Sequence, residues 1–317
     1  RDMILVTGGM GFIGMHTTRK LLDAGESVVV AYNNAQREPD IWKQEIGGRV
    51  LIERVDTTNP HAVLEAGVKH EITGVVHLFS PRLGTLSPGQ EMKVNIDGLI
   101  NVLEAARILG VKRVCVASSN SVYGLVPDGP FREDSPLYVE TNSPIDAFKK
   151  SFEVLGLHYG DRTGLEVVMM RISGVFGPLY YSMFSAHSRM SHAAAKGVPA
   201  DFGGSLTGAP YEDDRSDYAY VKDIATGIQK LQLAPTLGHR VYNIGSGRAD
   251  SYGEVAAAVK NVAPEAQIQL QSGSSGRGKA NPVADISRIG EDVGYAPEYT
   301  LETAISEYLE WLKTNAQ

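Results

Sequence analysis

Glycines at positions 8, 11 and 14, in TGGMGFIG (residues 7–14), follow an apolar strand-like run and precede a helical one. At this spacing the chain can turn sharply and bring its backbone against a pyrophosphate. The start of the next helix then offers unpaired N–H groups and partial positive charge. Strand before and helix after are the context that a dinucleotide-binding turn requires. A second pattern lies in SPIDAFKK (143–150), which reads as a helix start. Pro144 suits the first turn, and Ile145, Phe148 and Phe152 mark an apolar stripe. Lys149 follows Ile145 by one turn and shares its face, so it is either a solvated charge or a working lysine.

The elements that must position these residues alternate over the first 170 residues. MILVTG, SVVVAY, RVLIERVD, GVVHLFS, RVCVASS and LEVVMMRIS read as strands. Helices are expected over about 12–24, over HAVLEAGVKH (61–70), over about 92–109 and from 143 onward. Apolar strands separated by helices of about a dozen residues predict a doubly wound α/β fold, with a parallel sheet covered on both faces. After Gly177-Pro178 the rhythm loosens and Tyr, Gly and Asp become frequent. The expected division is 1–176 for the dinucleotide-binding part, with segments near 215–245 returning to it, and 177–317 for a smaller substrate-binding lid. DFGGSLTGAPYEDDRSDYAYV (201–221) reads as a loop with short strands, QSGSSGRGKAN (271–281) as a mobile loop, and TLETAISEYLEWLKT as an amphipathic helix.

Composition narrows the function. The 317 residues carry a formal net charge of −7 with no basic run, which argues against a nucleic-acid partner. No stretch of about 18 uncharged apolar residues exists, so no membrane span is expected. Cys115 is the only cysteine and sits in a strand-like run, where packing is its expected role. No metal site is expected, because no CxxC or HExxH spacing occurs. With no secretory signal pattern at the start, cytoplasm is the expected location.

At the end of the second strand, where an acid would hold the adenosine ribose, the chain has Tyr32, Asn33 and Asn34. Asn33 can donate to a ribose hydroxyl, and Asp56 can accept from the adenine amino group. Arg37 either pairs with a 2′-phosphate or faces solvent. NAD is the expected cofactor, and NADP stays open.

Taken together, TGGMGFIG, VVHLFS, KVNIDGLINVLEAAR, ASSNSVYG, MRISGVFGP, SDYAYVKDIA and YNIGSG resemble the extended short-chain dehydrogenase/reductase family, the NAD-dependent epimerase/dehydratase group. The likeness runs over nearly the whole chain. It implies cofactor contacts at Gly8, Gly11, Phe12, Ile13, Gly14, Asn33, Arg37, Asp56, Thr57, Leu78 and Lys149. Substrate contacts are expected at Ser119, Asn120 and Ser173, with Ser119 and Lys149 as catalytic residues; Arg82 departs from the family pattern, which often has small residues there, and either binds an anionic substrate group or is a loop arginine. The likeness also implies a tyrosine four residues before the lysine, where a phenol moves the alcohol proton and the ammonium lowers the phenol's pKa. That position is Ile145. Candidate substitutes are Asp146, Tyr123, Tyr138, His187 and His192, none of which stands out. Arg171 and Arg215 are further candidates for an anionic substrate group, alongside Arg82. The implied activity is NAD(P)-dependent oxidoreduction or epimerisation of a hydroxylated or carbonyl small molecule. Two alternatives follow from Ile145: a lyase or isomerase that keeps its cofactor without net redox, and a cofactor-sensing binding protein. A homodimer through helices near 92–109 and 145–160 is the implied assembly.

Overall fold

The computed structural model describes residues 2–317 except 83, 206, 207 and 316. Residues 206 and 207 of the predicted 201–221 loop therefore lie outside the described residues. Strands β1 (Met3–Thr7), β2 (Ser27–Tyr32), β3 (Val50–Arg54), β4 (Gly74–His77), β5 (Arg113–Ser119) and β6 (Glu166–Ile172) belong to one sheet. Helices α1 (Phe12–Asp23), α2 (Pro60–His70), α3 (Pro88–Ile108) and α4 (Pro144–Thr163) connect them. Further on lie β7 (Gly174–Phe176), α5 (Ala186–Lys196), β8 (Arg215–Ser216), β9 (Tyr218–Tyr220), α6 (Val221–Leu233) and β10 (Val241–Ile244). The chain closes with β11 (Asp250–Ser251), α7 (Tyr252–Val262), α8 (Ser287–Val293) and α9 (Leu301–Thr314).

The large sheet has seven parallel strands in the order β10-β6-β5-β4-β1-β2-β3. It is the predicted Rossmann-like α/β fold. The strands are rich in Val, Ile and Met because both faces are covered and every position must be apolar. On one face Val6, Val30, Met15, Leu21, Ile224 and Ile228 pack together. On the other, Leu5, Val29, Val63, Leu99, Val102 and Phe152 do the same. Cys115, on β5 in the middle of the sheet, is fully buried, and burial pushes its thiol up to about 12. A third cluster, with Phe176, Met190, Tyr220, Val255, Ile305 and Tyr308, holds α5, α7 and α9 together beside the sheet.

Successive strands run outward from β1 in both directions, so the chain reverses between β1 and β4. Ligands of open parallel sheets bind at such a switch point, beyond the carboxyl ends of the strands. Thr7, His77 and Ser119 end the strands there.

Some boundaries differ from the sequence expectation. Helix α3 starts at Pro88, four residues before Met92, because Ser87 and Gln90 form a capping box with Pro88 in the first turn. The 271–281 segment, expected to be mobile, is pinned. Gly273 N–H donates to Glu212 and Ser275 N–H to Asp214, and Lys279 reaches back to the turn after β5. Helices α6 and α7 were not separated from the irregular second half, yet α6 packs on α1 against the sheet.

Candidate active site

The turn between β1 and α1 is built for close approach. Gly8 takes φ +64°, and a Cβ there would stand 2.9 Å from Phe79 N. A Cβ on Gly14 would stand 2.2 Å from the Gly8 carbonyl oxygen. Only glycine fits both places. Gly11 caps α1 with no side-chain hydrogen bond, and the first turn, with Phe12 and Ile13, carries no acid. Its N–H groups are therefore left for an outside acceptor, and the donor set fits a pyrophosphate.

Strand β4 is tied to this turn. The Thr7 hydroxyl lies 2.7 Å from His77 Nδ1 and accepts the N–H groups of Leu78 and Phe79 at 3.2 and 3.3 Å. With its acceptor capacity used on the two amides, the hydroxyl donates to Nδ1 and leaves the His77 proton on Nε2. Burial and then the neighbouring Lys149 charge hold His77 down at about 3, so it is neutral.

Ser119 ends β5 and accepts from Ser121 N–H at 3.1 Å, capping the short turn Asn120–Tyr123. Its hydroxyl proton stays available. Lys149 is buried on α4, and its Nζ donates to the Ala117 carbonyl at 2.7 Å and sits 4.7 Å from the centre of the Phe152 ring. Among the described residues no carboxylate pairs with it. Burial alone pulls its pKa down to about 8. Ile145, half-buried, stands one turn earlier on the same helix.

Of the candidate substitutes for the missing phenol, Asp146, Tyr123 and His192 bond to other residues, whereas both ring nitrogens of His187 are buried with no hydrogen-bond partner among the described residues. Asp146 is fully buried in the first turn of α4; it accepts from Asn142 N–H and pairs with Lys150 at 3.0 Å. Lys150 is the buried acid's partner. Tyr123 donates to Asn243 at 2.7 Å and accepts from Arg171 at 2.8 Å, and burial pushes its phenol up to about 12. Tyr138 lies half-exposed in an apolar groove with Val139, Val154 and Leu155, away from the strand ends. His192 meets the Tyr308 hydroxyl at 3.0 Å, and His187 is stacked on Tyr218, its ring centroid 4.3 Å away. Both histidines are buried and held neutral by desolvation.

Arg171 is a fold residue. It grips Glu153 with two bonds of 2.9 and 2.7 Å, while Glu153 also accepts from Ser118 at 2.5 Å. This buried lattice fixes β5, α4 and β6 relative to one another. Asn243 extends it by donating to the carbonyls of Phe131 and Asp285.

A cavity of about 260 Å³ opens beside the Ser119 turn, lined by Asn120, Tyr123, Asp217, Tyr218 and Lys279. Ser216 connects it to a larger one of about 930 Å³ that contains Asn142, Tyr211, Arg215, Tyr252 and Arg277. Lys279 was not singled out from the sequence. It lay in a segment read as mobile, and its task, donating to the carbonyls of Tyr123, Gly124 and Val126, depends on contacts about 155 residues away in sequence. His77 carried a weak signal, a lone histidine at the end of an apolar strand.

Other expected residues sit as follows. Asp56 accepts from Thr58 N–H and hydroxyl at 2.9 and 2.7 Å. Thr57 is buried against Gly98, and its carbonyl accepts from Asn101. Arg37 lies on the glycine turn with Nη1 2.6 Å from the Met10 carbonyl, and Asn33 follows the end of β2, its carbonyl accepting from Arg54 Nε at 3.2 Å. Leu78 is half-buried beside Gly8. Arg82 is exposed, and Arg215 pairs with Glu254 at 3.1 Å. Ser173 is buried and donates to the Gly174 carbonyl at 3.0 Å. Among the described residues no cluster of His, Cys, Asp or Glu is placed to hold a metal ion, and no helix is long and apolar enough to cross a membrane.

Known proteins with this arrangement supply the context. The chain is 28% identical over 327 residues to the UDP-glucuronate 4-epimerase of Thermodesulfobacterium geofontis, covering 99% of this chain and 97% of that one. It is 28% identical over 352 residues to the UDP-glucose 4-epimerase of Mus musculus, again covering 99% and 97%. The Thermus thermophilus UDP-glucose 4-epimerase, solved in complex with NAD, superposes with a TM-score of 0.82 at 27% identity, over 99% of this chain and all of that one. The dTDP-glucose 4,6-dehydratase of Bacillus anthracis, also solved with NAD, shares the fold with a TM-score of 0.83 at 21% identity, over 99% and 97%. The model of the NAD dependent epimerase/dehydratase family matches residues 4–245. The glycine turn, the Ser119 strand end and the buried Lys149 thus belong to a member of the NAD-dependent epimerase/dehydratase family, a family of extended short-chain dehydrogenase/reductase enzymes.

Proposed function

We propose that the chain acts on a sugar nucleotide by reversible oxidation at a carbinol carbon, with Lys149 exchanging the proton that a tyrosine moves elsewhere. The nicotinamide cofactor, when bound, supplies the hydride acceptor. The rest falls to the chain's own residues. The α1 start and Gly8, Gly11 and Gly14 hold the pyrophosphate. Ser119 donates to the substrate oxygen. Residues 1–176 carry the cofactor and 177–317 mainly carry the substrate. Arg277 and Arg215, in the larger cavity, suit the diphosphate of a substrate such as those named for the relatives.

The observation that carries the reading is the state of Lys149. It is a buried ammonium with no carboxylate partner among the described residues, two positions' reach from Ser119 through the Ala117 carbonyl. Its pKa of about 8 lets it donate and accept near neutral pH, which a general acid/base needs. A panel of nucleotide sugars tests this, followed by absorbance at 340 nm in a single turnover and by product isomer analysis. Transient reduction with a pH dependence that disappears in Lys149→Met supports the reading. Isomerised product with no transient reduction would favour the second reading, a cofactor-retaining lyase or isomerase, which Ile145 independently favours.

The same proposal includes a homodimer. Met92, Ile100 and Ile108 on α3 and Val154 and Leu155 on α4 are exposed apolar residues of two helices that pack side by side. A second copy would cover them as a four-helix interface. Light scattering at micromolar concentration reads the mass, and Val154→Asp should give monomers.

A further inference from the structure

The segment 271–283 walls both cavities. Gln271, Ser275, Arg277 and Gly278 line the larger one, and Lys279 and Pro282 line the smaller one beside the Ser119 turn. Its first part is tied to the 212–214 loop, where Gly273 N–H donates to Glu212 at 3.1 Å and the Ser274 hydroxyl and Ser275 N–H donate to Asp214 at 2.8 and 3.1 Å. Its last part runs beside residues 129–131. There Gly129 N–H donates to the Asn281 carbonyl at 2.9 Å and Phe131 N–H to the Val283 carbonyl at 2.7 Å.

Lys279 stands between these ties and reaches toward the catalytic strand end. Its ammonium donates to the carbonyls of Tyr123 at 3.1 Å, of Gly124 at 2.9 Å and of Val126, and stands 5.2 Å from the centre of the Phe131 ring. The turn that begins at Ser119 aims those carbonyls. Gly124 N–H donates to the Ser121 carbonyl at 2.8 Å, and Ser121 N–H donates to the Ser119 hydroxyl at 3.1 Å. All three ammonium protons are thus spent on one turn. Among the described residues no carboxylate forms an ion pair with Lys279, and desolvation lowers its pKa. An uncompensated ammonium is a costly fastener, and backbone bonds already anchor the segment on both sides. What Lys279 adds is a fixed spacing between the Ser119 turn and Arg277, two residues before it.

We infer that Lys279 is a positioning residue for the substrate: it holds Arg277 in register with Ser119, so that a diphosphate bound in the larger cavity presents its sugar to the smaller one. The inference rests on the sugar-nucleotide reading and adds the residue that couples the two compartments.

Calorimetry on the purified full chain loaded with NAD tests it, with UDP-glucose, UDP-glucuronate and dTDP-glucose as probes, each against UDP or dTDP alone. For a sugar nucleotide that binds, Lys279→Ala should weaken binding about tenfold, the scale of one charged hydrogen bond, and leave the bare diphosphate within about twofold. Ethylammonium chloride, whose cation refits the three carbonyls, should restore most of that loss. Tetramethylammonium chloride at the same ionic strength, with no N–H to donate, should not. Lys279→Gln keeps donors at this place and should show a smaller loss in the same pattern, which carries the test if Lys279→Ala does not fold. Equal loss for sugar nucleotide and diphosphate overturns the inference, as does no loss for either, or a loss that the two cations relieve alike or not at all. A wild-type chain that binds none of the three sugar nucleotides overturns it together with the sugar-nucleotide reading, whereas good binding that is indifferent to Lys279 overturns only the positioning role.

Discussion

The two helices that start at the cleft, α1 and α4, are finished in opposite ways. Helix α1 begins at Gly11 with no side chain on its first N–H groups and no acid in its first turn. Helix α4 begins at Ser143, which accepts from Asp146 N–H, and Asp146 is itself buried against Lys150 and Asn142. The first end is open to an anion from outside. The second is closed by its own residues, and what it offers the cleft is a single buried ammonium one turn further along. The contrast teaches that Ile145 does not mark a decayed helix. Pro144, the Glu153–Arg171 pair and Lys149 are all in place around Ile145, the position where the family resemblance implies a phenol.

The strongest way to break the contrast is to fill the open end. Gly14→Val would force its side chain into the Gly8 carbonyl, 2.2 Å from the required Cβ position. Nucleotide binding should fall below detection by calorimetry, since backbone displacement of this kind costs several kcal/mol. A change at the closed end should act on chemistry instead. Lys149→Met should leave the fold intact, because it removes a buried charge, and lower turnover by about 10²- to 10⁴-fold if the amine moves the proton. Circular dichroism and steady-state rates separate the two effects.

Smaller effects sharpen the comparison further. Asp146→Ala should destabilise the chain by about 3 kcal/mol in urea unfolding, because it strands Lys150 beside a buried position. Ile145→Tyr should raise hydride transfer by about tenfold or more if the retained lattice still aims a phenol at the cleft.

A further effect concerns pH. Lys149 has a folded pKa near 8, below the ordinary 10.5, so the folded chain binds fewer protons than the unfolded chain between those values. Stability should therefore rise with pH across that window, by at most about 1.4 kcal/mol per pH unit, and Lys149→Met should flatten the rise. His187, held near 3 instead of 6.5, gives a loss of stability as pH falls through that lower window, which His187→Phe should reduce.

The sheet was legible because its strands are short apolar runs, and Gly25, Gly110 and Gly164 close the helices before β2, β5 and β6. That is a local pattern, and so are the Gly8-Gly11-Gly14 spacing and the Ser119 strand end. Lys149 was legible by its distance from Pro144 and Ile145. What escaped depends on contacts distant in sequence. Nothing near Lys279 tells that three carbonyls of residues 123–126 await it. Asp146 and Lys150 looked like surface charges because an (i, i+4) pair reads the same buried or exposed. Their burial is fixed by the 140–142 segment folding over them, through the Asn142 N–H and the Glu140 carbonyl. Helix α6 was hidden among tyrosines and aspartates whose roles, such as Asp223 holding the N–H groups of Glu298 and Tyr299, belong to the far end of the chain.

Cys115 gives the molecule a built-in reporter. As the only thiol, with no exposed surface and little thiolate at neutral pH, it is shut off from alkylating reagents while the central strands stay together. Its labelling rate therefore counts openings of the sheet itself and ignores fraying of the surrounding loops. Any ligand that locks the strand ends should slow that clock in proportion to its occupancy.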